Sequence, residues 1–173
     1  MPNFSENKEN INPGMEEKIR EAFDLLKVSS FRELSRVYGE KDQELMKTRT
    51  WDDKSPELIT NRVKNVLEQM NPAELSEEDR MWWHEIMWFW YHHAISYAIW
   101  KRKDKQLAQL YADKALELQM PDHPNKITKL LWFLVRDKLE EVKEWMKTEK
   151  FIDYEFETAQ ATLKEYENGE FFV

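Results

Sequence analysis

Hydrophobic positions recur along this chain mostly at intervals of three and four, the spacing of helices with one buried face. Ile19, Ala22, Phe23 and Leu26 mark such a face on a first helix over about 15–28. Ser30 stands before Phe31-Arg32-Glu33, with Glu33 in the reciprocal capping-box position, so a second helix starts there. Gly39 is read as its end, because glycine accepts the left-handed backbone of a helix C-terminus. A weaker helical segment follows over 42–47. Ser55-Pro56 predicts a third start, with proline at the first helical position, and Leu58, Ile59, Val63, Val66, Leu67 and Met70 on its inner side. Ser76 followed by Glu77, Glu78 and Asp79 predicts the next, since three acids then face the positive end of the helix dipole.

Downstream, Asp104 and Asn125 read as caps. Leu107, Ala108, Tyr111, Ala112, Ala115 and Leu118 form the buried side of one helix; Ile127, Leu130, Leu131 and Leu134 form that of the next. Pro121 and Pro124 bracket the break between them. Asp137 is read as the cap of a further helix with Leu139, Val142, Trp145 and Met146 inward, although no Pro or Gly separates it from its predecessor. A last helix begins near Asp153, turns Phe156, Ala159, Leu163 and Tyr166 inward, and ends at Asn168-Gly169. The expected fold is all-α, with seven to eight helices arranged as a bundle or a short helical-hairpin array.

The run MWWHEIMWFWYHHAISYAIW, 81–100, breaks the one-sided pattern. It is apolar on most sides. It has the length of a membrane span, but His84, Glu85, His92, His93 and Ser96 interrupt it and no second span accompanies it. A helix apolar all round is otherwise the buried middle of a helical assembly, where Trp and Tyr find partners for their N–H and O–H groups. No membrane association is expected.

Composition narrows the picture further. A chain of 173 residues suits one compact unit, with an N-terminal arm over 1–14, a helical segment over 15–70 and an aromatic-rich helical part over 71–173. Three glycines are too few for a sheet protein of this size. The absence of cysteine removes disulfides, thiolate metal sites and cysteine nucleophiles. The polar start has no signal-like apolar core, so a cytoplasmic location is expected. A net charge of -8, concentrated after residue 70, opposes nucleic acid and anionic lipid.

Few catalytic parts are present. No glycine-rich phosphate loop, nucleophile elbow or kinase signature occurs. His84, Glu85, His92 and His93 are the candidate metal ligands, with His123 able to join from a turn. Neither Glu-x-x-His nor His-Glu-x-x-His is present. Lys101-Arg102-Lys103 closes the aromatic run, where cations offset the negative end of a helix dipole.

Two stretches resemble known families. DKQLAQLYADKALELQMP, 104–121, resembles the second helix of a tetratricopeptide repeat, with Ala108 and Ala115 at the small positions and a proline closing the unit one residue late. Ala112 stands where a bulkier aromatic is usual, with Tyr111 beside it. Asp104-Lys105 recurs as Asp137-Lys138, and one extra residue aligns Ala108 with Val142 and Tyr111 with Trp145. Over about 83–156 the resemblance implies helical hairpins that present a groove to a protein or peptide. FRELSRVYGEKDQELM, 31–46, resembles a phage-repressor helix-turn-helix, with Leu34, Tyr38, Gly39 and Leu45 at core and turn positions, Ser35 in place of the usual alanine and Glu40 in place of an apolar residue. Over 31–59 it implies a recognition helix from Asp42 to Arg49, with Gln43, Lys47 and Arg49 toward DNA.

The expected function is therefore a non-catalytic protein-interaction or scaffold module without a cofactor, and self-association is compatible with it. Trp88, Trp100, Tyr154, Phe171 and Phe172 are its candidate partner-binding residues. A DNA-binding regulator and a His/Glu metal-binding bundle are the alternatives.

Overall fold

The structure, a computed structural model, describes residues 13–120 and 125–173. Helices are the only regular secondary structure among these residues, with no strand. The α-helices are α1 (Pro13–Leu26), α2 (Phe31–Lys47), α3 (Ile59–Glu68), α4 (Glu77–Tyr97), α5 (Lys105–Leu118), α6 (Lys126–Leu134), α7 (Leu139–Thr148) and α8 (Asp153–Glu167). A 3-10 turn, Pro72–Glu74, precedes α4, and a π-helical turn, Ala98–Arg102, follows it. No helix among the described residues is long and apolar enough to cross a membrane. The arm predicted over 1–14 lies outside the described residues up to position 12, and so do Pro121, His123 and Pro124.

The caps form largely where the side chains call for them. Ser30 Oγ accepts from Glu33 N (3.1 Å), Ser76 Oγ from Asp79 N (3.2 Å), Asp104 from Leu107 N (3.0 Å) and Asn125 from Thr128 N (3.0 Å). Each satisfies a backbone donor that the helix start leaves open, which stabilises it by about 1 kcal/mol. Glu33 departs from the reciprocal box: its carboxylate takes Ser29 N (3.0 Å) and Ser29 Oγ (3.2 Å). The backbone bond from Ser29 is the main reason its carboxyl titrates below the ordinary range.

Three predicted boundaries move, each for a tertiary reason. Gly39 does not end α2, which runs on through Lys47. Tyr38 and Asp42, one turn apart and both buried, carry the inner face past the glycine. The helix-turn-helix geometry is thereby lost, because no turn separates two helices there. α3 starts at Ile59 rather than at Pro56. The buried Asn61 amide explains the delay, since its Nδ2 donates to the carbonyls of Asp52 (2.8 Å) and Ser55 (2.8 Å) and ties the preceding loop back. Asp137 does not cap α7. It takes a left-handed backbone (φ 57°), Lys138 becomes the cap, and the Asp137 carboxylate is held by Lys105 and by Tyr166 Oη (2.8 Å).

Two compact units divide the chain between Trp90 and Tyr91, inside α4. In the first unit α1, α2 and α3 pack against one another around Ile19, Leu34, Val63 and Leu67. In the second, α6 packs against α5, α7 and α8. Its core is Leu130, Leu134, Val135, Val142 and the fully buried alanine stripe Ala108, Ala112 and Ala115 of α5.

Candidate interaction surface

Aromatic side chains are used differently in the two units. In the first, Trp90 sits in the core. Its Nε1 donates to Asn61 Oδ1 (2.8 Å), its ring meets Trp51 (5.7 Å between centroids) and Lys64 Nζ lies 4.4 Å from its centroid. Trp51 Nε1 donates to the buried Asp42 carboxylate (3.0 Å), and Trp83 Nε1 to the Leu67 carbonyl (2.9 Å). The indole N–H groups of Trp51, Trp83 and Trp90 are thus paired inside, as buried tryptophan favours.

In the second unit a row of rings runs outward. Trp132 meets Phe133 (5.3 Å), Phe133 meets Trp145 (5.9 Å), Trp145 meets Phe151 (5.6 Å) and Phe151 meets Phe156 (6.2 Å). Cations cover it: Lys129 lies 5.2 Å from the Trp145 centroid, Lys126 5.2 Å from Phe151, and Arg136 4.5 Å from Trp132. Such contacts contribute roughly 0.5–1 kcal/mol each at exposed sites and keep ring faces partly dry. The row ends in solvent, where Phe156 is 44% exposed, Ile152 54% and Tyr154 68%. Ile152 is the N-cap of α8 and Tyr154 and Phe156 lie in its first turn, alternating with Asp153, Glu155 and Glu157.

A second aromatic group gathers where α8 ends. Trp100, in the π-helical turn, meets Phe171 (5.4 Å), and Phe171 meets Tyr166 (5.4 Å) and Phe172 (6.1 Å). Burial and the Asp137 carboxylate together push the Tyr166 phenol up to about 12. The bonds from Lys105 and Tyr166 hold the Asp137 carboxyl below its ordinary range.

The sequence-predicted residues fall out as follows. Tyr154 is exposed, Trp100 is 37% exposed, and Trp88 and Phe172 are half-buried. Phe171 is buried (8%), a correction: the tail folds back on Trp100 and Tyr166, so its ring does not face solvent. Phe156, expected inward, is another correction, because Ala159 and Thr162 face the core instead. Ile152 and Phe156 were missed as surface residues. Their four-residue spacing among alternating acids was the available signal.

Gln43, Lys47 and Arg49 are exposed, but on and just beyond the end of the single helix α2. Of the metal candidates, His84 packs edge-on against Trp83 (5.1 Å) and Glu85 is exposed. His92 Nδ1 shares a hydrogen bond with Thr128 Oγ1 (2.9 Å), and its ring lies 6.0 Å from that of His93. Burial, helped by His93, pushes the His92 imidazole down to about 3, so it is neutral at physiological pH. Among the described residues no group of three or more His, Asp or Glu side chains could hold a metal ion. An open groove on the first unit is lined by Glu17, Arg20, Glu21, Asp24, Leu25 and Arg62. Its one apolar wall residue contrasts with the largely apolar lining of small-molecule sites.

Compared with known protein families, curated proteins and solved structures, the chain shows no significant match.

Proposed function

We propose that the chain is a non-catalytic, cytoplasmic interaction module that binds a protein or peptide through its second unit. The observation that carries this reading is the exposed apolar group Ile152, Tyr154 and Phe156 at the outer end of the aromatic row. Large side chains left in water at the end of a packed row are the kind of anchor that partner pockets fill, and aromatic residues dominate such contacts.

The second unit is read as a short array of tetratricopeptide-like hairpins. Left-handed turns at Lys103 and Asp137 are 34 positions apart, matching that repeat length, and Gly169 makes a third after α8. The alanine stripe of α5 supports the same reading, since small residues let neighbouring helices approach closely.

Site-specific photocrosslinking tests the function. A photoreactive phenylalanine analogue in place of Tyr154 should give discrete protein adducts in cells, and Phe156→Ser in the same chain should abolish them. No adduct above that of a probe placed at exposed Glu141 would overturn the proposal.

A further inference from the structure

The start of α8 has a chemical counterpart on the same unit. At one end stand Ile152, Tyr154 and Phe156, flanked by Asp153, Glu155 and Glu157, with no ion pair to these three acids among the described residues. The helix dipole offsets only about half a charge there. At the other end stands Trp100 in the π-helical turn, followed by Lys101, Arg102 and Lys103, all exposed. Among the described residues Lys101 and Lys103 make no ion pair, whereas Lys105 is held by Asp137. Lys103 is kept in a left-handed backbone (φ 54°), a conformation that non-glycine residues seldom adopt.

The rings of Tyr166 and Phe171 link this basic turn to the C-terminal end of α8. A helix of 15 residues spans roughly 22 Å. The acidic apolar surface and the basic aromatic surface therefore sit at opposite ends of one helix, too far apart to cover each other within a single copy.

Resting on the interaction reading above, we infer that the occupant is a second copy of this chain, docked head to tail. The acid-flanked start of α8 in one copy seats against the Trp100–Lys103 turn of the next. The two surfaces are different, so the contact is heterologous and repeats from copy to copy. Charge complementarity selects this occupant, because in a chain of net charge -8 the unpaired Lys101 and Lys103 of one copy offset the repulsion where they meet the unpaired acids of the next. Screening sets the salt dependence. At about 0.15 M the Debye length is about 8 Å, so whole-chain repulsion is damped while touching charges still attract. Assembly should be strongest at intermediate ionic strength and weaker at both extremes.

Sedimentation velocity on the full chain over a wide concentration range tests this. The wild type should assemble as concentration rises. Lys101→Glu with Lys103→Glu should raise the half-assembly concentration about tenfold or more, and Asp153→Lys with Glu155→Lys should do the same. An equimolar mixture of the two variants should restore assembly, since the intact α8 start of one meets the intact turn of the other and the two reversed surfaces are again opposite in charge. Circular dichroism checks folding, and the milder pair Lys101→Gln with Lys103→Gln repeats the measurement with less perturbation. A wild type that stays monomeric throughout overturns the inference. So do variants that assemble like wild type, or a mixture that does not restore assembly. Should the wild type be monomeric while position 154 still crosslinks to another protein, self-docking fails and the interaction reading survives.

Discussion

The two units handle the same residue types in opposite ways. The first encloses polar groups: Asp42 and Asn61 lie inside it, and each accepts an indole N–H, from Trp51 and Trp90. The second exposes apolar groups, ending a row of five rings in Phe156 with Ile152 and Tyr154 beside it. A buried polar network specifies one packing and is costly to disturb. An exposed aromatic row contributes less to folding and remains available to a partner. Substitutions should therefore unfold the first unit and disarm the second.

The largest effect is expected at Asn61. Changing it to Ala removes the acceptor of Trp90 Nε1 and the donor to two loop carbonyls, and leaving buried groups unpaired costs about 1–3 kcal/mol each. A loss of about 3 kcal/mol in denaturant unfolding is expected; a loss below about 1 kcal/mol would break the contrast. Trp51→Phe follows, at about 2 kcal/mol, because Asp42 Oδ1 loses the indole donor while staying buried.

His92 contributes a pH dependence in the second unit, alongside that of the depressed Asp137 carboxyl. The unfolded imidazole takes up a proton near 6.5, the folded one only near 3. Stability from this group is thus constant above pH 6.5 and falls as pH drops from 6.5 toward 3. His92→Gln should flatten that slope, which equilibrium unfolding at pH 7, 5.5 and 4.5 would reveal.

Smaller effects are expected toward the surface. Tyr166→Phe removes the bond to Asp137 and should cost under about 1 kcal/mol, since both groups are partly solvated. Ile152→Ser with Tyr154→Ser should change stability by no more than about 0.5 kcal/mol. The same pair should abolish crosslinking from a probe moved to position 156, which separates docking from folding.

Helix identity and most caps were legible because they depend on local chemistry. Ser30, Ser76, Asp104 and Asn125 bond donors within three residues, and no distant group competes. Gly39 was misread because its helix is sustained by the burial of Tyr38 and Asp42, and Asp42 finds Trp51 nine residues on. Pro56 was misread for a similar reason, since Asn61 answers to loop carbonyls and to Trp90 at once. At the surface, Tyr154 was legible from its own neighbourhood. Phe171 was not, because its burial depends on Trp100, seventy-one positions earlier.

Hydroxyl-radical footprinting of the dilute chain, read residue by residue in a mass spectrometer, tests the contrast most directly. Tyr154, Phe156 and Trp100 should oxidise quickly, with Trp51 and Trp90 at least about tenfold slower in keeping with exposures of 4% and 2%. Oxidation of Trp51 and Trp90 at rates like those of Tyr154 and Phe156 would contradict the division between an enclosed aromatic network and an exposed one.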